Sequence, residues 1–163
     1  MKRYIRAAIS KENATARAKL AGTPYASARE FAKYAQDESV TVRRRVAGNR
    51  NTPTDILDKL ANDPDSQVRW AVAHNRNTPA ETLLFLASDT SRDGYAVPKA
   101  VAANPNAPAE ALTRIAKNFK DAPGYLYLVA KHKNTPPDVL LALSQSNDTW
   151  VRDTAKKNPK CPR

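Results

Sequence analysis

The chain has 163 residues, which is enough for one domain or one short repeat array. Hydrophobic residues make up 41% of it, with only four glycines, three phenylalanines and two tryptophans, and this profile favours closely packed helices over a β-sandwich. The single cysteine, Cys161, excludes a disulfide framework and a cysteine-rich metal site within the chain, and it is typical of a reducing compartment.

Positive charge dominates the two ends of the chain. The net charge is +11; residues 1–50 carry 12 Lys or Arg against 4 Asp or Glu, and residues 131–163 carry 7 against 3. Residues 51–130 are nearly neutral, with 8 against 9. An excess of this size favours an acidic partner, either nucleic acid or an acidic protein. Charges interrupt the apolar run at residues 1–9 and no later segment approaches a membrane span, so we expect a cytoplasmic protein without a membrane partner.

A short tract rich in asparagine and proline recurs along the chain in nearly constant steps. Its copies occupy residues 49–53, 75–79, 104–108 and 132–136, with shorter relatives at 22–24 and 158–162. The prolines that mark the tract stand 26 to 29 residues apart; they are Pro24, Pro53, Pro79, Pro108, Pro136 and Pro162. Each tract predicts a turn that starts a helix, with Thr as the N-cap, Pro at the first helical position and an acid completing a capping box. The acids are Asp55, Glu81, Glu110 and Asp138.

Two amphipathic helices are predicted in every repeat. Apolar residues follow each proline after four, seven and eight residues, as in Leu57, Leu60 and Ala61, and this spacing draws one stripe on a helix. A second helix precedes each turn, where an apolar residue is followed four positions later by another, as in Val42 and Val46. The sequence therefore predicts an all-α fold, an α-solenoid of five to six helix-pair repeats of about 26 to 29 residues.

Stacking of the repeats is expected because one helix pair of this size cannot bury its apolar face alone, whereas stacked neighbours form a continuous core. We expect a single helical-repeat domain over residues 1–163, with a degenerate repeat at 1–36 and clearer repeats at 37–162. The alternative is one irregular helical bundle whose tracts are similar by chance.

The unit at residues 63–79 reads Asp-Pro-Asp-Ser-Gln-Val-Arg-Trp-Ala-Val-Ala-His-Asn-Arg-Asn-Thr-Pro. It resembles the variant leucine-rich repeat, a relative in shape of HEAT-like helical repeats, and the resemblance extends over roughly residues 37–162. The resemblance implies a right-handed superhelix of short helices without strands, and a scaffold. The founding member of that family holds an iron-sulfur cluster with N-terminal cysteines. Because this chain has no cysteine there, we expect no cofactor.

Charged residues recur with the repeat at two kinds of position. Arginines in the second helices and acids upstream of them form columns that, by similarity to HEAT-like repeats, are expected to pair between neighbouring turns. These residues are Arg43, Arg69 and Arg152, with Asp37, Asp63 and Asp148. In the turns themselves, stacking would align Arg50, Arg76 and Lys133 in one column. A neighbouring column, in which cations and aromatic rings alternate, holds Arg44, Trp70, Lys99, Tyr127 and Asp153.

Cations interleaved with aromatic rings suit a polyanion surface, because cations meet phosphates and aromatic rings stack on bases or sugars. Two dense clusters add to this pattern: residues 43–45 with Arg50, and Lys156, Lys157, Lys160 and Arg163. The candidate binding residues are Arg44, Arg45, Arg50, Trp70, Arg76, Lys99, Tyr127, Lys133, Lys156 and Lys157. The competing interpretation is a solvated face on which half-buried aromatic residues pack between repeats.

Three functions remain open on the sequence. The leading hypothesis is a non-catalytic binding module whose basic surface engages an acidic partner, nucleic-acid backbone first. The second is a protein-protein interaction scaffold that binds a protein or a peptide. The least favoured is an enzyme like the alkylated-DNA glycosylases built from helical repeats, because Trp70, Trp150, Asp148 and Arg152 offer similar residue types.

The two histidines, His74 and His132, occupy different places in their repeats. Their spacing therefore predicts neither a metal pair nor a catalytic dyad. His132 stands where other repeats have asparagine, which favours a role in the turn.

Overall fold

The structure, a computed structural model, describes residues 13–23, 26–91 and 96–162. This part of the chain contains eleven helical segments and no strand, which confirms the prediction of an all-helical repeat fold. The segments are α1 (residues 13–21), α2 (Ala28–Tyr34), α3 (Val40–Gly48), α4 (Thr54–Leu60), α5 (Ser66–His74), α6 (Ala80–Leu86), α7 (Val97–Ala103), α8 (Ala109–Asn118), α9 (Pro123–Lys131), α10 (Pro137–Leu143) and α11 (Thr149–Lys157). Residues 1–9, Pro24 and Arg163, which entered the sequence predictions, lie outside the described residues.

The chain forms two compact units, Met1–Thr78 and Pro79–Arg163. The helices that follow each proline-marked turn (α2, α4, α6, α8, α10) are called first-row helices here, and those that precede it (α3, α5, α7, α9, α11) second-row helices. In the first unit α3 packs against α5, and α4 contacts both. In the second unit α9 packs against α7 and α11, with α8 and α10 beside it. Each unit is thus a stack of helix pairs; the single domain and the right-handed superhelix stay predictions.

Apolar residues at the predicted positions form the core of each unit. The valines of the second-row template are 0% exposed; they are Val42, Val46, Val68, Val72, Val97, Val101, Val129 and Val151. The matching leucines of the first row, Leu57, Leu83, Leu112 and Leu140, are equally buried. Burial of one such side chain stabilises the fold by about 1.5–3 kcal/mol. One template residue departs from the pattern, since Tyr125 is only half-buried and Leu126 beside it fills the core.

A buried asparagine ties each turn of the first unit to the turn before it. The Asn49 Nδ2 group donates to the carbonyl oxygens of Ala21 at 2.9 Å and Thr23 at 2.8 Å. Asn75 repeats the pattern one repeat later, donating to Ala47 and Asn49 at 2.8 Å each. In both cases the side-chain oxygen accepts from the backbone N–H two residues further on, which closes an Asx turn. The asparagine therefore sets the shape of its own turn and its distance from the preceding one.

The second unit continues this pattern with a histidine in one place. Asn158 Nδ2 donates to the carbonyl oxygens of Ala130 at 2.9 Å and His132 at 3.1 Å. The ring of His132 accepts at Nδ1 from the Asn134 N–H at 3.0 Å, and its Nε2 lies 2.9 Å from the Asn104 carbonyl oxygen. Because Nδ1 accepts, Nε2 carries the proton and donates. The neutral imidazole reproduces the donor and acceptor of an asparagine side chain, and its place in the turn agrees with the sequence prediction.

The stability of the second unit should depend on pH through His132. Burial lowers the pKa of this imidazole; the bond to Asn104 opposes the shift, and the charges of Lys133 and Lys160 add to it. As pH falls below the ordinary value of 6.5, the unfolded chain takes up a proton that the folded chain refuses, so stability decreases. We expect the midpoint temperature of unfolding to decrease as pH falls below this value. In His132→Asn the same decrease should be smaller.

The measurement is thermal unfolding, followed by circular dichroism between neutral and mildly acid pH. The control is His74→Asn, which changes an exposed histidine and should keep the wild-type slope. An unchanged slope in His132→Asn would contradict the assignment.

The threonine and proline of the turn do not act as the sequence predicted. Pro53, Pro79, Pro108 and Pro136 are themselves the N-cap residues, so the helices begin one residue later than expected. The buried threonine hydroxyls donate backwards instead, to a carbonyl near the end of the preceding helix. Thr52 donates to Val46 at 2.5 Å, Thr78 to Val72 at 2.6 Å and Thr135 to Val129 at 2.5 Å. Each of these carbonyls also accepts from the backbone N–H three residues further on, as Val46 does from Asn49 at 3.0 Å, so the threonine adds a second bond at the end of the helix.

Ion pairs in the first unit join an arginine on one helix to an acid in the loop before the next second-row helix. Arg43 holds Asp63 through two bonds, Nε to Oδ2 at 2.6 Å and Nη2 to Oδ1 at 3.0 Å, and the Asp63 side chain is only 4% exposed. Arg17 holds Asp37 in the same way at 2.5 and 3.0 Å. Burial acts to raise the pKa of Asp37, but the bonds from Arg17 and from the Ser39 N–H outweigh it and the pKa is lowered. The predicted pairing between neighbouring turns is confirmed for these acids.

The third member of the acid column behaves differently. Asp148 is the N-cap of α11, and its Oδ1 accepts from the Val151 N–H at 3.0 Å. Arg152 donates to the Ser146 carbonyl at 3.1 Å. The pairing prediction is wrong for Asp148, because its carboxylate satisfies an N–H group at the start of its own helix.

Candidate functional site

Charge is distributed unequally between the two rows of helices. The second-row helices contain one acid, Asp153, and nine cations: Arg43, Arg44, Arg45, Arg69, Lys99, Lys131, Arg152, Lys156 and Lys157. The first-row helices contain six acids and five cations and are nearly balanced. The turns after the second-row helices add Arg50, Arg76, Lys133 and Lys160. The second-row helices and the turns after them are therefore the cationic parts of the repeats, whereas the loops before these helices hold acids such as Asp63 and Asp65.

We call a set of exposed and half-exposed side chains on the second-row helices and the turns after them the second-row face. In the first unit it comprises Arg44, Arg45, Arg50, Trp70 and Arg76, and in the second unit Lys99, Tyr127, Lys131, Lys133, Lys156 and Lys157. Several of its cations stand in the last turn of a helix, where they complement the helix dipole by about 0.3–1 kcal/mol each. The dipole does not require the cations that lie beyond the helix ends, such as Arg50 and Lys133.

The three consecutive arginines of α3 point to different surroundings. Arg43 forms an ion pair with Asp63. Arg44 is half-buried and donates from Nη1 to the Gln67 Oε1 at 3.2 Å, while Arg45 is exposed. Among the described residues no carboxylate lies within ion-pair distance of Arg44 or Arg45. Arg44 and Arg45 are thus the arginines of this run that face the surface.

A cleft of about 320 Å³ brings three of the predicted residues together in the first unit. Its lining residues are Gly22, Arg44, Arg45, Gly48, Asn49, Trp70 and Ala71. The Trp70 indole is half-buried, and the His74 ring lies 4.0 Å from it between centroids, tilted by 36°. Two arginines and a tryptophan therefore line the same cavity, which we call the arginine-tryptophan cleft.

The turn cations of the first unit lie next to one another. The Asn77 side chain donates from Nδ2 to the Arg50 carbonyl, so the turn that carries Arg76 is bonded to the turn that carries Arg50. Both arginine side chains are exposed. The sequence prediction of consecutive turn cations agrees with this local geometry.

In the second unit the predicted residues have separate surroundings. Lys99 Nζ lies 5.2 Å above the centroid of the Tyr125 ring, which stacks on Phe119 at 4.2 Å with an interplanar angle of 3°. Tyr127 is half-buried. Lys156 and Lys157 are exposed in the last turn of α11. These residues thus lie on or directly after second-row helices, and each has its own neighbours.

A groove of about 360 Å³ in the second unit contains a cation that the sequence reasoning missed. Lys131 and Lys133 border it, and its floor is formed by alanines with Leu128. Lys131 is the last residue of α9, the position that Lys157 holds in α11. Comparison of the last helical residue across the repeats would have found it. His74, likewise missed as the neighbour of Trp70, holds the same position in α5.

Metal-binding clusters are absent from the described residues, in which no group of three or more His, Cys, Asp or Glu is placed to hold a metal ion. Asp148 and Arg152, considered for a glycosylase-like site, bond to the start of α11 and the loop before it. Within the same ranges, every helix is too short or too polar to span a membrane.

The repeated helix pairs and their buried asparagines define a helical-repeat protein. Residues 40–65, which cover α3 and α4, match the model of the family described as leucine rich repeat variant, and this confirms the resemblance found in the sequence. The chain is also similar to a solved structure described as a leucine-rich repeat variant with a novel repetitive protein structural motif, with 24% identity over 91% of this chain and 72% of that one, and a TM-score of 0.39. A comparison with curated proteins finds no significant match. Repeat folds of this kind typically serve as binding or scaffold modules.

Proposed function

We propose that the second-row face binds the phosphate backbone of nucleic acid with little regard to sequence. The observation that carries the proposal is the separation of charge, because nine cations and one acid stand on the second-row helices. Three of these cations, Arg43, Arg69 and Arg152, bond to neighbouring loops, and the other six belong to the second-row face. Phosphate oxygens spaced along a strand are the polyanion that a repeating series of Lys and Arg fits. Contacts to the backbone position a protein on nucleic acid and carry no sequence information.

The proposal predicts a strong dependence of affinity on salt. Each phosphate contact releases condensed counterions, so the logarithm of the affinity for duplex DNA falls by about 0.9 per contact for each tenfold rise in salt. Four contacts would lower the affinity about a hundredfold between roughly 50 and 200 mM salt. The measurement is fluorescence anisotropy with a labelled duplex at several salt concentrations. An affinity no better than millimolar at low salt, or one that salt leaves unchanged, would overturn the proposal.

A protein-binding scaffold is the second candidate, and apolar surface in the second unit favours it. Phe85 and Leu141 are exposed on first-row helices. A largely apolar groove of about 400 Å³ lies near α8 and α10, lined by residues such as Val139 and Leu143. Capture from a nuclease-treated lysate separates the two candidates, since a protein that stays bound favours the scaffold and loss of all bound material favours nucleic acid.

A further inference from the structure

We infer that the arginine-tryptophan cleft receives one unpaired nucleotide, its base against the Trp70 indole and its phosphate at Arg44 and Arg45. This inference rests on the proposed function, and it specifies which form of nucleic acid the first unit of the protein prefers. The preferred ligand is a single strand or an unpaired base, rather than a continuous duplex.

The size and lining of the cleft carry the first step. About 320 Å³ lies at the lower end of the volumes that small-molecule sites occupy, roughly 300 to 1,000 Å³, and suits one nucleotide rather than a longer segment. An aromatic ring is a stacking platform for any base, and a guanidinium offers paired donors to phosphate oxygens. Arg44, Arg45 and Trp70 line the same cavity, so one ligand can meet both kinds of residue.

The position of Gly48 supports a cleft that is kept open. Gly48 is the last residue of α3, and an added Cβ there would meet no atom within 4 Å. Glycine is unfavourable in a helix, and neither crowding nor a left-handed backbone calls for it here. The corresponding residues of the neighbouring helices carry side chains, such as His74 in α5. Gly48 is itself a lining residue of the cleft, so a large side chain at this position is expected to narrow it.

Base pairing determines which form of nucleic acid can place a base in the cleft. In a duplex the bases are stacked and paired, and bringing one into a side pocket requires unstacking it. An unpaired base avoids that cost. The phosphates of both forms can still meet the exposed cations of the second-row face, so the duplex keeps a weaker mode of binding.

The test uses tryptophan fluorescence of the full chain. Trp150 is 78% exposed and is the other tryptophan of the sequence, so Trp150→Phe leaves Trp70 as the fluorophore. This variant is titrated with three ligands at one salt concentration: a single-stranded oligothymidylate, an abasic strand of the same length, and a duplex of that length. We expect quenching of Trp70 by the base-bearing strand and about tenfold tighter binding of that strand than of the abasic one.

Two further substitutions check the assignment. Because Trp70→Ala removes the fluorophore, the affinities of all variants for each strand are compared by fluorescence anisotropy of end-labelled strands. Trp70→Ala should abolish the tenfold preference and leave the affinity for the abasic strand unchanged. Gly48→Leu should do the same by filling the cleft while retaining the helical circular dichroism spectrum, so that the test does not depend on whether Trp70→Ala folds. Equal affinity of the base-bearing and abasic strands, or a preference that survives both substitutions, would overturn the inference. If the strands then still bind in a salt-sensitive manner, the proposed function stands; if none binds, both fail.

Discussion

Replacement of Asn75 by alanine is expected to lower the free energy of unfolding by about 3 kcal/mol, because three hydrogen bonds of a buried side chain are lost together. Asn75 is 5% exposed, and its amide donates to the carbonyls of Ala47 and Asn49. Its side-chain oxygen accepts from the Asn77 N–H at 2.9 Å. The alanine variant leaves two carbonyls and one N–H without these partners in a place that water reaches poorly. The measurement is urea unfolding followed by circular dichroism.

Asn75→Asp separates the donor from the acceptor role of this side chain. Aspartate has the same shape and can still accept from Asn77, but it presents an oxygen to two carbonyl oxygens that lie 2.8 Å from Nδ2 in the wild type. We expect a loss of stability as large as in the alanine variant. Asn62→Ala is the matched control, since Asn62 is exposed and its amide bonds only to the Asp58 carbonyl of the preceding helix at 3.2 Å. Equal stability of the Asn75 and Asn62 variants would show that the turns are not held together in this way.

The sequence predicted the core well because apolar periodicity is a local property. Val42 and Leu57 stand in templates that recur, and both are buried as expected. The role of Asn49 was not predictable in the same way, although the residue recurs visibly. Its partners are carbonyl groups 28 and 26 residues earlier in the chain, and a carbonyl leaves no mark in the sequence. The roles of the threonine and proline of the turn were mispredicted for a related reason, since the Thr52 hydroxyl donates to the Val46 carbonyl six residues earlier, a contact that propensity rules do not consider.

The candidate site was predictable as a set of repeat positions and less so as a geometry. Counting from one turn to the next placed Arg44 and Trp70 in corresponding positions of adjacent repeats, and the cleft does bring them together. The sequence could show that three consecutive arginines do not share a face, but not that Arg43 is the one held by Asp63. Lys131 was harder to predict because it is the last residue of α9, and sequence patterns do not locate helix ends closely. The identity of the bound partner depends on the side chains at the surface, and the same fold can carry many different sets of them.

The affinity for nucleic acid is expected to depend more on the position of the cations than on the net charge of the protein. Two variants with equal net charge distinguish position from charge, and each replaces four exposed cations by glutamine. The second-row variant carries Arg45→Gln, Arg50→Gln, Lys131→Gln and Lys133→Gln. The first-row variant carries Arg29→Gln, Lys33→Gln, Lys59→Gln and Lys117→Gln. Surface substitutions of this kind change stability little, so both variants should fold.

The two variants should differ sharply in binding. Loss of four phosphate contacts is expected to weaken duplex DNA binding by about a hundredfold and to reduce the salt slope by about one for each contact. Cations of the first-row variant act only through the general field, which salt screens beyond about 10 Å, so a change below about threefold is expected.

The most direct test of the binding face is therefore the affinity of the wild type and both glutamine variants for one duplex, measured at several salt concentrations. A large loss of affinity and of salt slope confined to the second-row variant is the predicted result. Equal losses in the two variants, or a greater loss in the first-row variant, would contradict the assignment of binding to the second-row helices.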